Sequence, residues 1–149
     1  MKKCVLFLLM AFAFTVFCAE PPIVKAAASA PVIDGKLDDA CWADALKFDK
    51  FQKLNTRHKS DLKTEVFLTY DSTGVYAAFK CFKPKGGSFT LRPDKGAYSN
   101  DHVEVMIDPN FTQNRYFHYM VGINGAIYDS ARSEGGFVGD QKWISGMTS

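Results

Sequence analysis

The dipeptide Asn124-Gly125 sits between an apolar run over residues 116–123 and a shorter one over 126–129. Both of its residues tolerate the positive φ that a two-residue hairpin demands, so the flanking runs are expected to pair as antiparallel strands. A third strand precedes them. From Asp101 to Asp108, Val103, Val105 and Ile107 point one way, while His102, Glu104, Met106 and Asp108 point the other. Pro109 and Asn110 end it, because proline donates nothing to a ladder and Asp and Asn favour turns. The second half of the chain therefore reads as an antiparallel meander.

The first half supplies partners for it. Residues 63–70 and 75–82 are rich in β-branched and aromatic side chains, as strands are. Asp71-Ser-Thr-Gly74 joins them with the Asp and Gly placement of a type I turn. Cys81 falls on the same strand face as Val75, Ala77 and Phe79. Residues 23–27 read as a short strand, and residues 37–45 as one or two helical turns with Leu37, Cys41 and Trp42 inward. That setting makes Trp42 a packing residue rather than a ligand platform. Residues 49–62 are polar and turn-rich. Residues 83–100 form a long Gly-, Pro- and Lys-containing loop, and loops of that length in compact domains are usually functional or mobile. Many short strands with one short N-terminal helical turn predict an all-β fold, an antiparallel β-sandwich of immunoglobulin-like or jelly-roll type.

The beginning of the chain is of another kind. Lys2 and Lys3 precede an apolar run over residues 4–17, and Cys18-Ala19-Glu20-Pro21-Pro22 follows. This is the charged region, apolar region and small-residue exit of a secretory signal peptide. The run is shorter than the roughly 20 apolar residues that a membrane span needs. The pattern predicts a leader over 1–19, one domain over 20–149, and a secreted, periplasmic or cell-surface location. Phe17 stands where bacterial lipidation of Cys18 would need a small residue.

Export changes the charge balance. Of 18 Lys and Arg only Lys2 and Lys3 lie in the leader, which leaves 16 against 16 Asp and Glu. A neutral chain without a basic run lacks the footprint of a nucleic-acid binder. Cys41 and Cys81 remain after the leader. In an oxidising compartment a bridge between them would contribute about 3–4 kcal/mol, and two buried thiols are the alternative.

Five pieces then occur in order: Ile33-Asp34-Gly35; Asp38 and Asp39 with Trp42 and Ala45; Tyr70-Asp71 with Val75-Tyr76; Arg92-Pro93-Asp94 with the strand ending at Asp108; and Gly125-Ala-Ile-Tyr-Asp129. Together they resemble the family 9 carbohydrate-binding modules, β-sandwich domains that accompany secreted xylanases and other polysaccharide-degrading enzymes. The resemblance covers roughly residues 31–130. It implies a non-catalytic module that binds xylan, cellulose or a related glucan, in some members at chain ends, often with structural calcium and a glycoside hydrolase partner. By the same resemblance Tyr70 stands where xylanase-linked members carry a tryptophan, and Arg92 matches a family arginine.

Those residue types suit the chemistry. A pyranose offers an apolar C–H face to an aromatic ring, while its hydroxyls need polar partners. The candidate carbohydrate-binding residues are Tyr70, Arg92, Asp94, Tyr98, Asn100 and Asp101. Calcium oxygens could come from Asp71, Asp129 and Asp140, although no loop has diagnostic spacing. Trp143 reads as packing.

Catalysis by the chain itself is not expected. Glu104 and Asp108 share a face but lie about 13 Å apart along a strand, beyond the separations that glycoside hydrolysis uses. No nucleophile-elbow, zinc-protease or Cys-x-x-Cys motif is present. Two other classes of function stay in view. One is a periplasmic haem-binding electron-transfer domain of the same superfamily, drawing on His118 and Met120 with Met106 and His102, although no Cys-x-x-Cys-His is present. The other is an adhesion or assembly module without a small ligand. Residues 142–149 stop just as another apolar segment begins, so the reading is of a sandwich incomplete at its C-terminal end.

Overall fold

The computed structural model describes residues 20–83, 85–140 and 142–149. The leader expected over 1–19, with Cys18, lies outside them. Among the described residues the regular structure is seven strands and three short 3-10 turns. β1 (Leu46–Phe48), β2 (Thr64–Tyr70) and β3 (Val75–Cys81) form one antiparallel sheet in that order. β4 (His102–Ile107), β5 (Tyr116–Gly122), β6 (Ile127–Ser133) and β7 (Val138–Asp140) form a second. The expected all-β antiparallel architecture is the observed one.

Local chemistry explains the turns. Asp71 donates its N–H to the Gly74 carbonyl and accepts with Oδ1 from the N–H groups of Thr73 and Gly74, which closes the β2–β3 hairpin. Between β5 and β6, Gly125 adopts φ 78° and the Gly122 N–H donates to the Ala126 carbonyl. Gly122 matters for packing: a Cβ there would lie 2.6 Å from Asn124 Oδ1 and 3.2 Å from Ala97 Cα. Only glycine lets the turn Ala97–Ser99 settle against the end of β5.

Register assigns the faces. Glu104 pairs with Met120, and Met106 with His118; on the next strand His118 pairs with Ser130, and Met120 with Tyr128. One face of the second sheet therefore carries His102, Glu104, Met106, His118, Met120, Tyr128, Ser130 and Arg132. The other carries Val103, Val105, Ile107, Phe117, Tyr119 and Val121, all half-buried, and Val103 and Val121 line a cleft with Phe79 and Cys81 of β3. The alternation foreseen for 101–108 is thus borne out. The turn Ala40–Trp42 covers the opposite side of β2, burying Cys41 and Trp42, and Trp42 packs as expected.

Several boundaries differ from the sequence reading. Residues 23–27 make a single bridge, Ala26 to Tyr70, instead of a strand. The turn Glu134–Gly136 and strands β1 and β7 were not foreseen, and β6 runs on to Ser133. β1 and β7 have three residues each and lie at sheet edges, too short for alternation to register. Cys41 and Cys81 are unbridged; Cys41 is buried as expected, but Cys81 is exposed, because it ends β3 at the edge of its sheet. Partial loss of water around each sulfur raises both thiols above the ordinary cysteine value, even though Cys81 as a residue is exposed.

Candidate functional site

The loop before β4 is held by side-chain amides. Asn100, buried, accepts at Oδ1 from the Arg92 N–H and donates through Nδ2 to the carbonyls of Lys95 and Gly96. Asn124, in the β5–β6 turn, donates to the carbonyls of Arg92, Pro93 and Lys95. Asp101 accepts from the Thr90 N–H at 2.9 Å and returns its own N–H to the Thr90 carbonyl at 3.0 Å. Every one of these bonds satisfies a backbone group that the loop would otherwise expose.

So braced, the loop delivers Tyr98 to the polar face of the second sheet. Its ring lies edge-on to Tyr128 with centroids 5.0 Å apart, and to His102 at 6.1 Å. It still remains 57% exposed, so an apolar surface stays open beside the sheet. Beneath it is a buried floor of His118, Met120 and Ser130. Glu104 links two histidines across the strands: Oε1 lies 2.9 Å from His102 Nε2, and Oε2 lies 2.9 Å from His118 Nε2. Arg132 closes the far side, donating from Nη2 to Tyr128 Oη at 2.7 Å and from Nη1 to the Gly136 carbonyl. Its Nε is buried without a partner.

The six candidate residues separate into three groups. Tyr98, Arg92 and Asp94 sit on or beside this loop with accessible side chains, Asp94 forming an exposed pair with Lys95. Asn100 and Asp101 belong to the same loop but spend their side chains on holding it. Tyr70 stands apart. It ends β2 opposite Val75, six residues along β3 from Cys81, which lines the same cleft as Asp101. Six strand residues span about 20 Å, so Tyr70 and Tyr98 cannot grip one sugar ring between them.

The calcium candidates are not gathered either. Asp71 is occupied in the β2–β3 turn, Asp129 accepts two bonds from Ser145, and Asp140 accepts from the Lys142 N–H. Among the described residues no group of three or more His, Cys, Asp or Glu is placed to hold a metal ion. Of the haem candidates, His118 and His102 both bond to Glu104, and Met120 is 1% exposed.

Arg132 escapes the sequence reading because it lies beyond Asp129, where that reading ends the last strand; Tyr128 is read within the strand but without a role in the site. A signal existed: with the Asn124-Gly125 hairpin fixed, residues 128, 130 and 132 fall on the face of His118 and Met120. Trp143, by contrast, packs as expected, stacked on Phe117 at 4.7 Å.

Two antiparallel sheets, an amide-braced loop and an open aromatic ring beside a polar face define a binding module of β-sandwich build. A family model described as carbohydrate family 9 binding domain-like matches residues 33–146, and the chain belongs to that family. Domains of this kind are carbohydrate-binding modules, so the resemblance drawn from the five sequence pieces holds. No curated protein and no solved structure matches the chain.

Proposed function

We propose that this domain binds a plant-type polysaccharide or its chain ends on the β4–β6 face beside Tyr98. In this reading it belongs to an exported protein, serves carbohydrate breakdown and leaves the chemistry to a separate glycoside hydrolase. The observation that carries the proposal is the exposed Tyr98 ring held beside Glu104, His102 and Arg132. A sugar's apolar face fits the ring, and its hydroxyls find the Glu104 carboxylate and the Arg132 guanidinium within the same patch. Arg92 and Asp94 extend this polar rim along the loop, Arg92 as a multiple donor and Asp94 as an acceptor.

Calorimetric titration with xylo- and cello-oligosaccharides tests the reading, with and without a chelator to report on calcium. Saturable binding that Tyr98→Ala abolishes supports it. Binding that persists unchanged in a folded Tyr98→Ala protein would move the site elsewhere, and absence of binding to any glycan on an array would end the sugar reading.

A further inference from the structure

His102 faces an acceptor with each ring nitrogen. Its Nδ1 lies 2.7 Å from the Asn100 carbonyl oxygen, and its Nε2 lies 2.9 Å from Glu104 Oε1. A carbonyl oxygen and an ionised carboxylate can only accept, so both nitrogens must carry a proton. A neutral imidazole carries one and would set a lone pair against a lone pair at the other contact. His118 has no such requirement, since a single Nε2 proton satisfies its bond to Glu104.

We propose that His102 stands as an imidazolium and is the positioning residue of the Tyr98 loop, tying the Asn100 carbonyl to Glu104 and so fixing Tyr98 over the β4–β6 face. Only its effect on affinity rests on the sugar reading of that face. The mechanical link is short. Asn100 N–H donates to the Ala97 carbonyl, and its side chain holds Arg92, Lys95 and Gly96. Moving its carbonyl therefore moves the turn that carries Tyr98.

The surroundings favour the cation. Glu104 and Asp101 supply negative charge from its own strand and the residue before it. Tyr98 approaches from the turn, His118 lies beyond Glu104 on β5, and Tyr128 with Arg132 stands on β6. Cys81 of β3 lines the cleft on the remaining side. Burial of the ring opposes its charge, but the Asn100 carbonyl and the Glu104 carboxylate outweigh it and raise His102 above the ordinary histidine value. A raised value means the tie is intact at lower pH and is released as pH climbs through that midpoint.

Long-range proton–nitrogen spectra of the isotope-labelled full chain read which imidazole nitrogens carry protons, over roughly pH 5 to 9. His102 is expected to be doubly protonated up to a midpoint above about 6.5, with amide signals of residues 96–100 shifting at the same midpoint. Oligosaccharide affinity is expected to fall about tenfold across it, while His102→Gln binds weakly with a flat pH profile. Glu104→Gln, read by the same spectra, should lower the His102 midpoint. A singly protonated His102 in mild acid, or loop amides indifferent to its titration, overturns the proposal. If no oligosaccharide binds at any pH, the sugar reading fails while the spectra still decide the role of His102.

Discussion

Tyr98 meets Tyr128 edge-on, with ring centroids 5.0 Å apart and planes inclined at 70°. This one aromatic pair docks the loop before β4 onto β6, thirty residues further along the chain. Edge-to-face pairs contribute about 0.5–1.5 kcal/mol beyond the area they bury. Because Tyr128 is itself bonded to Arg132, the pair also connects the loop to the far edge of the polar face.

Removing the ring separates docking from binding. Tyr98→Ala is expected to weaken xylo- or cello-oligosaccharide binding by about 1–3 kcal/mol, the scale of a lost apolar contact. Tyr98→Phe keeps the face and should bind almost as the parent does. Tyr70→Ala, at the other end of the β2–β3 hairpin, should leave the affinity for a disaccharide unchanged. Calorimetry on the three variants decides; equal loss from Tyr70→Ala and Tyr98→Ala would contradict the separation of the two rings.

Asn100 provides the second prediction. Its amide satisfies one N–H and two carbonyls in a buried setting, and Asn100→Ala would strand all three. A loss of about 2 kcal/mol in stability is expected, together with sugar affinity as low as that of Tyr98→Ala. Thermal melting and hydrogen exchange at the Arg92 amide measure it. A variant that melts with the parent and keeps a protected Arg92 amide would mean the loop is held without the Asn100 side chain.

Much of this was legible in the sequence. The Asn124-Gly125 turn and the alternation of Val103, Val105 and Ile107 specified strands, register and face, because period two and turn chemistry are local properties. The five ordered pieces identified the family. The roles of Asn100 and Asp101 were not legible: a polar side chain that braces its own loop and one that faces a ligand look alike until the loop's path is known. Arg132 and Tyr128 were hidden for a related reason. Tyr128 matters through Tyr98, thirty residues away on the loop before β4, and Arg132 through its bond to Tyr128, so neither role shows until that loop's path and the end of β6 are placed.

Acid should loosen the β2–β3 hairpin. The Asp71 carboxylate accepts from the Thr73 hydroxyl and N–H, the Gly74 N–H and the Tyr76 hydroxyl. Thr73 first, then these other donors, hold its pKa below the ordinary 3.8. A lowered folded value means the contribution is complete above the unfolded value and disappears as pH falls through the folded one. Asp71→Asn should therefore be less stable than the parent at neutral pH, with the gap closing below about pH 3.8. Urea midpoints followed from neutral pH down to about pH 2 test this, and a gap that stays constant over the whole range would exclude the carboxylate's charge as its source.

The last prediction concerns the stretch after β7. Trp143 stacks on Phe117 with planes 19° apart and meets Tyr119 edge-on at 6.1 Å. Two residues later, Ser145 donates its N–H and hydroxyl to Asp129 Oδ2 at 2.8 and 2.6 Å. These bonds, the serine hydroxyl's first, depress the Asp129 pKa. The stretch is thus fastened over the apolar side of β5 and β6, the side opposite Tyr98. Trp143→Ala should cost about 2–3 kcal/mol, since it uncovers Phe117 and Tyr119, while Trp143→Phe should retain most of the stacking. Ser145→Ala should cost about 1 kcal/mol for its hydrogen bond. Because both residues fasten one segment, the double variant should lose less than the sum of the two single losses. Denaturant melts of the three variants provide the comparison. Strict additivity would mean that Trp143 and Ser145 act independently, and a Trp143→Ala protein as stable as the parent would mean that the stacked rings contribute nothing to the fold.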